Sequence, residues 1–270
     1  MADRVVVFPG AKPVIGLCQQ TFCNPGDEII YPSPGFPIYE SFITYLGAQP
    51  VPVHLSEEGN FTLSGMDIVT ILLNGAAKSF SWIGTRIGWA LLPTVEEAEV
   101  FTNLNINYFS CIPPYNQEGA CIALVSPRSQ DSVRHTVTVF QERRDLVVNG
   151  LNAIKGINCQ KPKGTFYVFP NISEVCENLR IMDMFRSLPP DLKGETSPST
   201  LLQMFLLFEY QVATMDRKSF GRIGAESFHY LRFCFATDTE SLKEGLRRIS
   251  AASEDTERFR YFSNRGEHLS

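Results

Sequence analysis

The sequence is short of the side chains that most often bind metals. It has four histidines, and its seven cysteines are scattered, with no two of them spaced as CxxC. Such a set does not match the ligand spacing of known metal sites, so no metal site is predicted. The cysteine pattern is typical instead of reduced, partly buried thiols in a cytoplasmic protein.

Long hydrophobic runs and basic clusters are also absent. No apolar stretch approaches the length that crosses a bilayer, and residues 1–13 contain no leader-like apolar region. The 24 basic and 29 acidic residues leave a formal charge of −5, and no basic run is interleaved with aromatic residues. We therefore expect a soluble, intracellular protein that binds neither membrane nor nucleic acid. The chain does have material for a core, with 44% hydrophobic residues and 20 phenylalanines.

Strand-like and helix-like segments alternate through the first half of the chain. The predicted strands are 5–8, 28–31, 49–55, 70–73 and 87–92, and the predicted helices are 11–22 and 36–46. Alternation of this kind favours an α/β fold, in which helices flank a mostly parallel sheet.

The second half is predicted to be richer in helix. Apolar residues at helical spacing predict a long helix over 132–154, and strands are predicted at 164–169 and 230–235. Thr237 and Glu240 are spaced as a capping box that would open a last helix. The stretch 187–199 is rich in proline and polar residues and predicts an irregular connection; the charged residues from Ser253 predict a frayed tail.

Lys78 follows a predicted strand and the small-residue turn 74–77. A lysine at such a place is most often a solvated surface charge. Here the flanking residues are Gly, Ala, Phe, Trp and Ile, which would desolvate the side chain. Burial lowers the pKa of a lysine and favours the neutral, nucleophilic amine. Lys78 can therefore be interpreted either as a surface charge or as a nucleophilic amine.

Arg86 is the other cation of this segment, and it too lies among apolar residues. A guanidinium presents a rigid fork of donors that can bind a phosphate from two sides. From its residue type alone, Arg86 could equally form an ordinary ion pair with a neighbouring carboxylate.

The string NGAAKSFSWIGTRIGWA, residues 74–90, resembles the cofactor-lysine motif of fold-type I, class I/II pyridoxal-phosphate-dependent aminotransferases of the aspartate aminotransferase kind. The resemblance implies that Lys78 forms the internal aldimine with pyridoxal 5′-phosphate. It further implies that Lys78 moves the proton between the substrate α-carbon and the cofactor, and that Arg86 anchors the cofactor phosphate.

Two more stretches resemble cofactor-binding turns of that family. Gly10, Ala11 and Lys12 match a turn whose backbone amides cradle the phosphate at the start of a helix, and the side chain of Lys12 is not assigned a role. Phe36, in YPSPGFPIY, matches the aromatic ring that stacks on the cofactor pyridine. The alternative for Phe36 is that it begins a helix packed on the core.

Arg232, in YLRFCFAT, resembles the small-domain arginine that binds the substrate α-carboxylate. An arginine between Leu, Phe and Cys would be costly to bury without a partner, and a carboxylate would remove that cost. An internal Asp or Glu would serve equally, so both interpretations stay open.

The chain departs from the family pattern in two ways. It begins almost at the phosphate-binding turn, so the N-terminal segment that contributes to the dimer contact and the substrate pocket is expected to be absent. Residues 60–63 also run directly into 64–71, where the family has a long stretch. That stretch carries an NPTG-like loop, whose asparagine binds the cofactor ring oxygen, and a D-E-x-Y motif, whose aspartate pairs with the pyridine nitrogen. Neither motif occurs here, and the gap should leave sheet edges unpaired.

We therefore predict a truncated cofactor-binding large domain over residues 1–125, a C-terminal small α+β domain over 126–252 and a polar tail over 253–270. The expected activity is transfer of an amino group from an amino acid to a 2-oxo acid with pyridoxal 5′-phosphate, in a possible homodimer. Two alternatives remain: a non-catalytic remnant that acts as a binding protein, and another reaction on the same scaffold, such as a C–S lyase.

Overall fold

The structure, a computed structural model, describes residues 2–59, 61, 70–224 and 229–265. Their packing divides the chain into two compact units. The first is drawn from Met1–Tyr31, Ile38–Val51 and Thr62–Val137, and the second from Pro32–Pro37, Pro52–Phe61 and Thr138–Ser270. The predicted domain boundaries at 125 and 252 stay predictions, because each packing unit is drawn from three separate stretches of the chain.

Alternating elements fill the N-terminal part of the chain after a 3₁₀ turn at Ala2–Arg4. They are β1 (Val5–Phe8), α1 (Lys12–Phe22), β2 (Glu28–Ser33), α2 (Ile38–Tyr45), β3 (Gln49–His54), β4 (Leu72–Gly75), α3 (Ala76–Ser79), β5 (Gly88–Leu91), α4 (Val95–Phe109) and α5 (Pro114–Val125). The strands and helices predicted over this part from apolar patterning are all present, with ends shifted by one or two residues.

The C-terminal part is mostly helical. Its elements are α6 (Pro127–Asn152), β6 (Tyr167–Val168), α7 (Ser173–Asn178), α8 (Ile181–Ser187), α9 (Pro190–Glu195), α10 (Pro198–Tyr210), β7 (Met215–Asp216), a 3₁₀ turn at Arg217–Phe220, β8 (Leu231–Cys234), α11 (Thr239–Glu254) and α12 (Thr256–Arg265). None of the helices in the described residues is long and apolar enough to cross a membrane.

Strand direction differs from the expectation of a mostly parallel sheet. In the first unit β5 lies between β1 and β4 and runs antiparallel to both, pairing Phe8 with Gly88 and Gly75 with Gly88 at one end. Among the described strands only β2 and β3 run parallel, since Gln49 N–H donates to the Asp27 carbonyl and Leu55 N–H to the Ser33 carbonyl. The antiparallel return needs no helical crossover, so the segment between β4 and β5 can carry a site instead.

Six strands of the described residues have a neighbour on one side only. β1 and β4 each pair with β5, β2 and β3 pair with each other, and β6 and β7 each pair with β8. Every open sheet ends in such strands, so the expectation that the internal gap removes strands from a larger sheet stays a prediction. The junction itself, at residues 60–71, lies outside the described residues except for Phe61, Thr70 and Ile71.

Each unit has its own hydrophobic core. In the first, Val6 and Phe8 of β1 pack with Leu17 of α1 and Phe101 of α4. In the second, a larger cluster gathers Leu151, Phe205, Leu231 and Phe259 from four different helices and strands. The capping of α4 is a complete box, in which Thr94 accepts from Glu97 N–H and Glu97 accepts from Thr94 N–H.

Three details of the second half correct the sequence-based expectations. The first residue of α11 is capped by Asp238, whose carboxylate accepts from Ser241 N–H at 2.8 Å, and not by Thr237. The stretch 187–199 contains α9, which begins at a proline whose missing N–H costs nothing at that position. The expected frayed tail forms α12 up to Arg265, because Phe259 and Phe262 are buried.

Candidate active site

A tight turn joins β1 to α1 in the first unit. Gly10 is buried and has φ +100°, a conformation that L side chains rarely adopt, and its N–H donates to the Phe8 carbonyl at 2.7 Å. Ala11, the N-cap of α1, has no side-chain cap. No side chain of the N-cap residue thus competes for the backbone N–H groups at the positive end of the helix dipole, where anions bind. Lys12 begins the helix and is exposed.

Arg86 lies directly against the Gly10 turn. A Cβ atom placed on Gly10 would be 2.6 Å from Arg86 Nη2, so any side chain there would displace the guanidinium. The Arg86 backbone has φ 51°, which is unfavourable for a residue that is neither glycine nor asparagine, and its Nη1 donates to the Ile83 carbonyl at 3.3 Å. Strained backbone of this kind is concentrated at functional sites, and here it brings a cation to the start of a helix.

Gly88 is a residue of this site that the sequence reasoning did not single out. A Cβ atom on Gly88 would lie 2.4 Å from Ala11 N and 2.5 Å from Gly10 C. Only glycine allows the start of β5 to contact the turn this closely. The available signal was a glycine inside a strand pattern, which indicates close approach of another backbone.

Lys78 lies in α3, between β4 and β5 and on the same connection as Arg86. The sequence predicted that the Lys78 side chain is buried among apolar residues. In the structure this side chain is exposed. The apolar residues that suggested burial pack elsewhere: Ala76 and Ile87 form a small cluster with Ile112 and Ala120, and Phe80 packs against it. Apolar sequence neighbours therefore do not by themselves bury Lys78.

In the second unit Arg232 lies in the middle of β8 and is half-buried. Its Cζ is 4.1 Å from the centre of the Tyr167 ring and 5.1 Å from that of Phe220, and Nη2 donates to the thioether of Met215. Its Nε is buried and has no hydrogen-bond partner in the part of the chain that the structure describes. No Asp or Glu forms an ion pair with Arg232 within the described residues, so the internal-carboxylate alternative finds no support there.

Tyr230, two residues before Arg232, contacts a half-buried carboxylate, Glu57, in the same unit. Tyr230 donates its hydroxyl to Glu57 at 3.1 Å, and Asn158 donates to the other oxygen of Glu57 at 2.6 Å. Burial, together with the Glu57 carboxylate, raises the pKa of Tyr230 to about 12. The neutral Tyr230 hydroxyl can therefore donate to Glu57 at the residue before β8.

Phe36 also belongs to the second unit, in the turn that follows β2. It precedes α2, which begins at Ile38, and its side chain is exposed. The structure thus brings Gly10, Ala11 and Arg86 together in the first unit, with Lys78 on the same connection as Arg86. Among the described residues no group of three or more His, Cys, Asp or Glu could hold a metal ion.

Comparison with known proteins gives a consistent result. The sequence model of the family described as aminotransferase class I and II matches residues 1–68 and 62–249. The aspartate aminotransferase of Rhizobium meliloti is 34% identical, over 93% of this chain and 74% of its own length. A probable aspartate/prephenate aminotransferase of Aquifex aeolicus (strain VF5) is 28% identical, over 94% of this chain and 76% of its own length.

Solved structures agree on the fold. The crystal structure of the Rhizobium meliloti aspartate aminotransferase superposes with a TM-score of 0.77 at 24% identity, covering 94% of this chain and 77% of that one. An aromatic aminotransferase from Pyrococcus horikoshii OT3 gives 0.79 at 22% identity, covering 94% and 80%. The predicted α/β fold of this class is therefore confirmed.

The same alignments locate the internal gap. The family match consists of two segments that meet at 62–68, and the alignment with the Rhizobium meliloti protein runs over 322 positions, more than the 270 residues of this chain. Residues that the relatives carry are therefore missing from the interior of this sequence, as the absent NPTG and D-E-x-Y motifs predicted.

Proposed function

Because the chain belongs to the aminotransferase class I and II family, we propose that it transfers an amino group from an amino acid to a 2-oxo acid with pyridoxal 5′-phosphate as cofactor. One observation carries the cofactor assignment: the Arg86 guanidinium lies against the Gly10 turn at the start of α1, within 2.6 Å of where a Cβ would be. This cradle suits a phosphate, which would accept hydrogen bonds from the guanidinium and from backbone N–H groups at the helix start.

Lys78 would hold the cofactor through its amine. When bound, pyridoxal phosphate supplies an electron sink for the negative charge that develops on the substrate α-carbon. The chain itself would move the proton: the Lys78 amine would take it from the α-carbon of the amino donor and, in the second half of the cycle, deliver a proton to the 2-oxo acid carbon that becomes the new α-carbon. Lys78 lies on the same connection between β4 and β5 as Arg86.

Arg232 would bind the α-carboxylate of the substrate. Its guanidinium lies over the Tyr167 and Phe220 rings, and the buried Nε has no acceptor among the described residues. A carboxylate accepting from the guanidinium fork would satisfy that donor, which is otherwise costly to leave unpaired. Phe36 is proposed to stack on the cofactor ring.

The missing asparagine and aspartate set the expected level of activity. The aspartate of the D-E-x-Y motif would keep the pyridine nitrogen protonated, and without it the removal of the α-proton is expected to be slow. Binding through Arg86, the Gly10 turn and Lys78 does not depend on the missing stretch. We therefore expect cofactor capture and slow transamination.

The test is the visible absorption spectrum of the purified chain with added pyridoxal phosphate, followed by amino donors. A yellow band that is discharged by amino acids, with formation of the 2-oxo acid, supports the aminotransferase. A folded protein without the band would favour the non-catalytic alternative. Ammonia and a thiol as products would point to lyase chemistry.

Arg232→Leu is expected to weaken amino-acid binding about 30-fold, since a charge-assisted pair contributes about 2 kcal/mol. The dissociation constant of the amino donor, measured from the change in cofactor absorbance, checks this. The matched control is Arg222→Leu, an exposed arginine of the same unit that pairs with Glu195 at 3.1 Å. Equal dissociation constants for the two variants would contradict the role of Arg232.

We also propose a homodimer in which α5 lies at the interface. Tyr115, Ile122 and Val125 are exposed on this helix, Val125 by 79%, and grouped apolar side chains of this size mark interaction surfaces. Val125→Asp is expected to convert the dimer to a monomer in sedimentation, because a charge would be buried at the contact. Val100→Asp, the same change at an exposed valine of α4, should leave the dimer intact; a dimer that survives Val125→Asp would rule out this interface.

A cytoplasmic location is proposed on the cysteine chemistry. All seven cysteines are free thiols, and none forms a disulfide. Two of them, Cys159 and Cys176, are buried in the second unit. Unpaired thiols in this number are typical of a reducing compartment.

A further inference from the structure

Arg217 is almost completely buried, with 2% of its surface exposed, in the 3₁₀ turn between β7 and β8. Its Nη1 donates to the Gly221 carbonyl at 3.0 Å, and Nη2 donates to Ser33 Oγ at 2.9 Å. A charged side chain is rarely buried to this extent unless its donors are satisfied. The guanidinium therefore joins two segments that are far apart in sequence.

One of those segments is the turn that presents Phe36. Ser33 is fully buried, and the Gly35 N–H donates to the Phe220 carbonyl at 2.9 Å. Two hydrogen bonds, one donated by Arg217 and one accepted by Phe220, thus link the segment 217–221 to the turn immediately before Phe36.

Phe220 and the nearby Met215 both contact Arg232. The Phe220 ring lies 5.1 Å from the Arg232 guanidinium carbon, and Met215 accepts from Arg232 Nη2. The 3₁₀ turn that precedes Phe220 is capped by Asp216, whose buried carboxylate accepts from Ser219 N–H at 3.0 Å. A displacement of Phe220 would therefore disturb Arg232 and the turn before Phe36 together.

We propose that Arg217 is a positioning residue that ties the turn carrying Phe36 to the segment packed on Arg232, so that the ring-stacking and carboxylate-binding groups of this unit are held as one piece. The roles of Phe36 and Arg232 rest on the proposed function. The hydrogen bonds through Arg217 and Ser33 do not.

The experiment uses amide hydrogen exchange of the full chain, measured by NMR without cofactor. In Ser33→Ala, exchange of the Gly35 amide is expected to rise about tenfold, because one hydrogen bond to a charged group is lost. Arg217→Lys keeps the buried charge but removes the guanidinium, whose two nitrogens bind Gly221 and Ser33. Exchange of the Gly35 amide should therefore rise in this variant too. Ser253→Ala removes another buried hydroxyl of this unit, which donates to the Ser250 carbonyl, and should leave Gly35 unchanged.

A second measurement tests whether the Arg217–Ser33 hydrogen bond affects cofactor binding. Quenching of tryptophan fluorescence by pyridoxal phosphate should give a dissociation constant several-fold higher for Ser33→Ala than for Ser253→Ala. Gly35 exchange equal to wild type in Ser33→Ala, or an equal rise at every amide of the unit, would overturn the proposal. If the wild type binds no pyridoxal phosphate, the proposed function fails, and the Gly35 exchange still decides whether Arg217 positions the turn.

Discussion

Replacing Lys78 with alanine is expected to abolish borohydride-stable attachment of pyridoxal phosphate to the chain. The wild type should carry one label, on Lys78, since this amine lies on the same β4–β5 connection as the phosphate-binding Arg86. Any transamination should fall by roughly 10⁴-fold, because the residue that moves the α-proton is gone. Mass spectrometry of peptides from the reduced protein locates the label.

Lys12 provides the control for that experiment. It lies at the start of α1, beside the Gly10 turn, and is exposed like Lys78. Lys12→Ala should keep the label, since only the backbone of this turn is assigned to the phosphate. A label retained in Lys78→Ala, or lost in Lys12→Ala, would move the attachment point and overturn the site assignment.

Removing the Arg86 guanidinium is expected to raise the dissociation constant of pyridoxal phosphate about a thousandfold. Two charge-assisted hydrogen bonds to a phosphate contribute about 4 kcal/mol together, which corresponds to three orders of magnitude. Arg86→Asn is the better variant, because asparagine adopts positive φ more readily than alanine and Arg86 has φ 51°. Equilibrium titration by absorbance or fluorescence measures the change.

The phosphate-free aldehyde separates this role from a structural one. Pyridoxal lacks the group that Arg86 is proposed to bind, so its dissociation constant should be the same in wild type and Arg86→Asn. An equal loss for both ligands would mean that Arg86 only supports the fold. An unchanged affinity for pyridoxal phosphate would remove Arg86 from the site.

Much of the local structure could be predicted from apolar patterning and turn residues. The β-branched run 5–8 forms β1, Pro9 and Gly10 end it, and α1 follows to Phe22. Where the prediction failed, distant contacts decided the outcome. The tail beyond Ser253 reads as charged and frayed, yet Phe259 packs on Phe205 with ring centres 5.2 Å apart and α12 forms.

The candidate site shows the same limit. The resemblance of residues 74–90 pointed to Lys78 and Arg86, but only the pairing of β1 with β5 brings Arg86 to Gly10. The burial expected for Lys78 was wrong, because side chains next to it in sequence pack into a cluster that excludes it. Nothing in the sequence around Ser33 indicated that Arg217 would contact it across 184 positions.

The sequence by itself determined the family and the interior gap that removes the asparagine and aspartate motifs, and it predicted the lysine and arginines that would bind cofactor and substrate. These follow from the resemblance of short local motifs to those of the family. The tertiary structure alone decided strand direction, the closeness of Arg86 to the Gly10 turn and the burial of Arg217. Those depend on contacts between residues far apart along the chain, whose formation is set by the packing of the whole unit and not by any local pattern.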